Sequence, residues 1–396
     1  MRVPLLDLSE QYKGLAEQIR MAIDEVLASQ RFILGPKVEA FEKAIAAYCD
    51  TPHAIGVSSG TDALLAVLMA LEVGPGDAVI TSAYSFFATA GCIARVGATP
   101  LFVDIDPTTY NLSFSALESY IDNRCKPDSH GQLRDTAGRR IRAIIPVHLF
   151  GLCCDMDPVH AISERFNLEV IEDAAQAAGA EYLTSHMGLR KAGTMGEVGC
   201  FSFYPSKNLG AAGDAGMIVC RDEKLAERLR IFRQHGMEPR YQHHFIGGNF
   251  RLDEIQAVIL TVKLPQLDTW SAARRVAADF YREEFTRAGL AEKITLPAEP
   301  YRAGGLTNHH IYHQYTIRAP HRDELREHLA RREIETAIYY PLGLHQQKCF
   351  AYLGYNTGDF PEAERAARET LALPIYPEIS REAQRHVVNL IAEFFG

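Results

Sequence analysis

The chain has 396 residues, 47% hydrophobic and 23% charged, a balance that implies a sizeable core and more than one ordinary domain. Its 50 acidic against 41 basic residues give a formal charge of −9, so there is no global basic footprint and nucleic acid is not an expected partner. No apolar run reaches the about 18 residues of a membrane span, the opening MRVPLLDLSEQYKG lacks a signal-peptide layout, and eight cysteines without CxxC pairs offer neither a disulfide framework nor a zinc site. These features predict a cytoplasmic protein with buried free thiols, no metal and no membrane contact.

Leu15, Ile19, Ala22, Ile23, Val26 and Leu27 stand at helical spacing and predict an amphipathic helix over residues 5–27, broken at Gly35-Pro36. A second helix is expected over 38–48, a short strand over 54–57, then Ser58-Ser59-Gly60-Thr61 leading into a helix over 61–71 that Gly74-Pro75-Gly76 stops. The rhythm continues with strands at 78–81, 99–104, 142–147 and 169–171 and helices at 89–96, 115–121 and 158–166, the pattern of a mostly parallel sheet covered by helices. Strands at 199–204 and 216–221 lie so close in sequence that an antiparallel member is expected. Beyond about residue 260 the texture changes to a long helix over 272–288, a strand over 313–317 and a helix over 322–332, which reads as a smaller α+β domain (261–396) after a large one (1–260). The polar, breaker-rich segment 123–140 reads as an exposed loop without chemistry.

Four local features bear on chemistry. Lys207, one of only ten lysines, follows an apolar strand in FSFYPSKNLG; a lysine presented there can be desolvated, and a desolvated amine becomes a nucleophile, although a turn lysine on the surface is the plainer alternative. Asp173, in IEDAAQ, ends a strand of the parallel sheet, where ligands of such sheets bind, or merely caps a helix. The SSGT segment offers free N–H groups at a helix start, a cup for phosphate or an ordinary cap. Tyr84-Ser85-Phe86-Phe87 places aromatic rings after the next strand. Together the four fit pyridoxal 5'-phosphate, which needs an amine, a carboxylate opposite its pyridinium nitrogen, an anion cup and a flat apolar face.

The segments FILGPKVEAFE, SSGTDAL, AYSFFAT, PLFVDIDPTTYNL, IIPVHLFG, IEDAAQAAGA, GCFSFYPSKNLGAAGDAG, RQHG, GGNFRLDEIQAV, HIYHQYTIR and YYPLGLH, in this order, resemble the DegT/DnrJ/EryC1/StrS sugar aminotransferases. The resemblance spans nearly the whole chain and implies the α/β fold type I of pyridoxal-phosphate transferases, similar to aspartate aminotransferase. It implies that Lys207 bonds the cofactor and shuttles the proton, that Asp173 pairs with the ring nitrogen, and that Gln176 contacts the ring hydroxyl. Phe86 would stack on the ring, Gly60, Thr61 and Ser202 would hold the phosphate, and Asn249 would reach it from the other subunit of a homodimer. The sequence departs from the family in reading GGN at 247–249, so Gly248 is expected to alter the sugar pocket, and in the long segment 123–140 and a hairpin extension near 184–191. The presence of Lys207, where related sugar 3-dehydratases carry histidine, disfavours dehydration.

The expected reaction is transfer of an amino group from L-glutamate to a keto group of a nucleotide-linked sugar, a 3-keto over a 4-keto sugar, for surface-polysaccharide or secondary-metabolite biosynthesis. Arg31, Arg240, His243, His244, Arg251, Tyr339 and His345 are candidate partners for the anionic nucleotide. A pyridoxal-phosphate lyase or desulfurase, for which Cys153-Cys154 is the place to look, and a non-catalytic regulator of the same fold are the alternatives.

Overall fold

A computed structural model describes all residues, 1–396. Helices α1 (Ser9–Ser29) and α2 (Pro36–Cys49) precede strand β1 (His53–Val57), helix α3 (Gly60–Ala70), β2 (Asp77–Ser82), α4 (Ala88–Arg95), β3 (Thr99–Val103) and α5 (Phe114–Arg124). The short β4 (Cys125–Pro127) and β5 (Leu133–Asp135) follow, then β6 (Arg140–Ile145), α6 (Met156–Phe166), β7 (Glu169–Asp173), β8 (Glu181–Thr184), β9 (Gly188–Lys191), β10 (Val198–Ser202) and β11 (Gly216–Cys220). The chain continues through α7 (Glu223–Phe232), α8 (Glu254–Lys263), α9 (Leu267–Arg287), β12 (Tyr315–Arg318), α10 (Arg322–Ala330), α11 (Pro361–Glu369), β13 (Thr370–Leu373) and α12 (Arg381–Phe395). No helix is long and apolar enough to cross a membrane.

The central sheet runs in the order β1-β11-β10-β7-β6-β2-β3. Pairs β10/β7, β7/β6, β6/β2 and β2/β3 are parallel, and β11 is the antiparallel member the sequence predicts, running against both β1 and β10. Strand residues alternate between two cores, as the two-residue period requires. Met217 and Val219 point into the core shared with α2, α5, α6 and α8; Ile218 and Cys220 point into the one shared with α3, α4 and α7. Burial on both faces explains the near-continuous apolar runs of these strands. A third core joins α9, α10, α12, β12 and β13, and Val3 enters it from the N-terminal segment by a parallel bridge to Ile334.

The segment 123–140 is not a bare loop. It folds back as the β4/β5 hairpin, which reaches β6 through Arg134↔Arg140, and Leu133, 1% exposed, plugs into the main core. One apolar residue amid polar ones gives no periodic signal. The extension near 184–191 is the antiparallel hairpin β8/β9. Seven of the eight cysteines are buried as free thiols, whereas Cys349 is exposed on a short 3-10 helix, Lys348–Leu353.

Candidate active site

Because β1 and β10 flank the antiparallel β11, with Val57 and Ser202 both opposite Gly216, the turn after β1 and the loop after β10 leave the sheet at one edge. Asp173, at the end of β7, faces Cys200 of β10 across the ladder and joins the same edge. The segment after β2 carries Tyr84 to Phe87 there as well. Lys207, Asp173, Gly60, Thr61, Ser202, Phe86 and Gln176 thus come from separate strand ends and the turns that follow them.

Lys207 sits in a turn closed by its own N–H donating to Tyr204 O at 2.8 Å. The neck of its loop is pinched at Phe203, whose N–H donates to Ala215 O while its carbonyl accepts from Ala211 N–H, both at 2.8 Å. Three side-chain bonds tie the loop to its surroundings. Asn208 Nδ2 donates to Ile311 O at 2.9 Å, Lys263 Nζ donates to Gly210 O at 2.6 Å, and Gln256 Oε1 accepts from Ala212 N–H at 2.9 Å. Burial pushes the Lys207 amine down to about 8, against the opposing pull of the Asp173 charge. Burial also holds the neighbouring His313 well below its ordinary range, with the positive charges of Lys207 and Arg274 adding to the effect. His313 Nδ1 lies 3.3 Å from Asn208 Oδ1.

Asp173 is 5% exposed. Its Oδ2 accepts from Thr89 Oγ1 at 2.7 Å and its Oδ1 from Ala175 N–H at 3.2 Å. Its neighbour Glu172 points to the opposite side, into a fully buried network of its own. Gly193, Met195 and Gly196 donate their N–H groups to it at 2.6–2.7 Å, and His148 Nε2 lies 2.7 Å away. His148 Nδ1 accepts from Cys154 N–H at 2.9 Å, so Nε2 carries the proton and donates to Glu172. This network fixes the end of β7 against the segment before β10.

Gln176 is oriented by Phe150 N–H, which donates to its Oε1 at 2.7 Å; that leaves Nε2 facing Tyr340 OH at 3.0 Å. Phe86 is 55% exposed, with its ring 6.0 Å from that of Tyr340. Tyr340 arrives from the C-terminal part of the chain and is held by Tyr84, whose hydroxyl accepts from Tyr340 N–H at 2.7 Å.

At the start of α3, Ser59 Oγ caps the helix by accepting from Asp62 N–H at 3.0 Å. The N–H groups of Gly60 and Thr61 precede the first intrahelical bonds and are directed outward from the helix. Gly60 is required by packing: a Cβ there would lie 2.7 Å from Ser202 Cβ, so the absent side chain lets the helix start rest on the end of β10. Asn249 stands apart from this group. It is exposed and forms an antiparallel bridge with Gln234, while its neighbours Phe250 and Arg251 run beside Ser58 and Val57.

Gly248 lies against the Phe250 ring. A Cβ at 248 would meet the Phe250 ring at 2.1 Å, so the ring already fills the place a larger residue would take. Among the candidate nucleotide partners, His345 is withdrawn: it is buried and bonded to Glu364 at 3.1 Å. Arg31, Arg240, His243 and His244 are exposed, and Tyr339 and Arg251 are half-buried. Cys153 and Cys154 are fully buried, and burial raises both thiols, Cys154 to about 12, so neither is an accessible nucleophile.

The donor set fits pyridoxal phosphate. A depressed amine with no side-chain partner, a buried carboxylate fixed by two donors, an oriented amide, an exposed aromatic face and unused N–H groups at a helix start supply each contact that a phosphorylated pyridine aldehyde needs. Thr89, Tyr340, Asn208 and the His148–Glu172 pair carry no signal of their own in the sequence, because their roles depend on partners far along the chain.

The profile described as the DegT/DnrJ/EryC1/StrS aminotransferase family matches residues 14–392. A "Pleiotropic regulatory protein" of Geobacillus stearothermophilus is 48% identical over 395 residues, covering 100% of this chain and 99% of its own. A UDP-N-acetyl-3-dehydro-alpha-D-glucosamine 3-aminotransferase of Acidithiobacillus ferrooxidans is 41% identical over 389 residues, covering 98% and 97%. Among solved structures, S. venezuelae DesV in complex with a ketimine intermediate superposes with a TM-score of 0.88 at 39% identity, covering 99% of this chain and 98% of that one. NtdA from Bacillus subtilis, with the bound cofactor PMP, has a TM-score of 0.83 at 30% identity, covering 98% and 85%.

Proposed function

The chain belongs to the DegT/DnrJ/EryC1/StrS aminotransferase family, and on that premise we propose that it transfers an amino group from L-glutamate to the 3-keto group of a nucleotide-linked sugar. It is a pyridoxal-phosphate-dependent aminotransferase of nucleotide sugars with the type I fold. The observation that carries the reading is the meeting of Lys207, Asp173 and the N–H groups of Gly60 and Thr61 at one edge of the sheet. The choice of a 3-keto sugar is supported by the A. ferrooxidans relative, whose name specifies a 3-dehydro sugar.

When bound, pyridoxal phosphate supplies a protonated ring that stores the electron pair left when a substrate α-proton departs. The residues divide the remaining work. Lys207 Nζ, its pKa pushed down to about 8 by burial, would hold the cofactor through its aldehyde and is the amine that would carry the migrating proton. Asp173 would face the ring nitrogen. Gln176 Nε2 would reach the ring hydroxyl, Phe86 would cover one ring face, and Gly60, Thr61 and Ser202 would hold the phosphate. Asn249, exposed on its own subunit, would reach the phosphate in a second copy, which would make the active unit a homodimer. One site serves glutamate and the keto-sugar in turn, as ping-pong kinetics require. The division into 1–260 and 261–396 is supported by the separate third core, with the N-terminal Val3 as a strap across it.

A purely regulatory protein, which the name of the G. stearothermophilus relative favours, has no need of a desolvated lysine beside an oriented carboxylate. The test is to load the protein with pyridoxamine phosphate and offer nucleotide-linked 3-keto and 4-keto sugars. The 3-keto sugars are expected to restore the aldehyde absorbance and glutamate to reverse it; restoration by 4-keto sugars alone, or indifference to glutamate, would overturn the finer assignment. Capture of pyridoxal phosphate by the apoprotein should accelerate as pH rises through about 8, since only the neutral amine attacks, whereas an ordinary lysine would require a pH above about 10.

A further inference from the structure

The orientation of Asp173 is set chiefly by one hydroxyl. Thr89 Oγ1, completely buried, lies 2.7 Å from Asp173 Oδ2, 3.1 Å from Ser85 Oγ and 3.3 Å from Phe86 O. A hydroxyl has one proton to give and lone pairs with which to accept. The shortest contact and the charged acceptor claim the Thr89 proton, because hydrogen bonds to ionised groups are the shorter and stronger ones. Thr89 oxygen is then an acceptor toward Ser85, which is itself buried. The three groups form a directed chain, Ser85 to Thr89 to Asp173, with every proton running toward the carboxylate.

Local sequence makes this chain possible. Ser85 and Thr89 stand four residues apart where the chain enters α4, so their side chains meet one turn apart. Between them lies Phe86, exposed toward the open edge. One turn therefore presents the flat apolar face and, through Thr89, aims the acid on β7. A hydroxyl buried merely to complete the packing would not need to sit on the functional carboxylate, nor to be backed by a second hydroxyl.

Resting on the reading that Asp173 meets the ring nitrogen, we propose that Thr89, backed by Ser85, is a positioning residue that holds the Asp173 carboxylate aimed at the cofactor's pyridinium. A donated hydrogen bond restricts the rotation of the carboxylate, so losing it weakens selectively the interaction that depends on its aim.

The test compares binding of pyridoxamine phosphate with binding of its 1-deaza analogue, in which carbon replaces the ring nitrogen, to the apoprotein by calorimetry. The wild-type protein should prefer the nitrogen-containing ligand. Thr89→Val, of the same shape without the hydroxyl, should reduce that preference about tenfold, the scale of one hydrogen bond to a charged group. Thr89→Ser should keep the preference, and Ser85→Ala should reduce it about threefold. An unchanged preference in Thr89→Val, even with both affinities lowered together, would overturn the proposal, as would an equal loss in Thr89→Ser. Should Thr89→Val fail to fold, Ser85→Ala carries the test, and an unchanged preference there overturns the chain. Absence of any preference in the wild-type protein would instead defeat the Asp173 assignment, and the positioning role with it.

Discussion

The two ends of the site are built by opposite means. At the carboxylate end, polar groups are buried and satisfied within the chain: Asp173 by Thr89 and Ala175, and Glu172 next to it by His148 and three backbone N–H groups. At the anion end the site consists of what the chain leaves unsatisfied, the first N–H groups of α3, with Ser59 capping Asp62 and Gly60 pressed onto Ser202. A buried charge must be partnered by the fold itself, whereas a helix start can wait for its ligand. The carboxylate end is therefore tied to folding, and the anion end to binding.

The largest expected effect separates two adjacent acids of β7. Asp173→Asn should lower turnover on the order of 10³-fold, by analogy with removing a charge-stabilising group from a preorganised site, with little change in the unfolding midpoint. Glu172→Leu should do the reverse. It strands His148 and three N–H donors in a dry interior, at a cost of about 3–5 kcal/mol in urea unfolding of the apoprotein. Equal effects of both substitutions on stability would erase the distinction between the acid that faces the site and the acid that faces the core.

At the other end, Gly60→Ala drives a methyl group into Ser202, and one of the two segments must move. Overpacking of this kind costs about 1–3 kcal/mol, which should appear as weaker affinity for pyridoxal phosphate, measured by fluorescence titration. The smallest expected change is that of Ser59→Ala, which removes the α3 cap and about 1 kcal/mol of stability while leaving Gly60 and Thr61 N–H in place. A loss of cofactor affinity larger than that of Gly60→Ala would mean that the cap itself takes part in binding.

The same contrast governs how much of the molecule is legible in its sequence. Capped helix starts and apolar strands carry local signals, so the frame of β1, β2, β3, β6 and β7 with the helices between them, the antiparallel β11 and the placing of Lys207 and Asp173 after strands can be read from residue order alone, whereas the β4/β5 hairpin cannot. Helix α7 is readable in principle, from Asp222 as its cap and the amphipathic run behind it, yet it is missing from the expected elements. No element is expected beyond residue 332 either, although α11, β13 and α12 are there. The supports of the site are hidden for a different reason. Thr89 matters because it meets a residue 84 positions later, and Tyr340 because its hydroxyl meets Gln176, 164 positions earlier. Separations of that size leave no mark in local spacing. The ring beside Gly248 is hidden too, since it belongs to Phe250 and cannot be placed from residue type alone.

The most direct test is to load the protein with pyridoxal phosphate, reduce it with borohydride and locate the modified residue by peptide mass spectrometry. A pyridoxyl phosphate group on Lys207, and its absence after Lys207→Ala, is the predicted result; stable modification of any of the other nine lysines in its place would contradict the account.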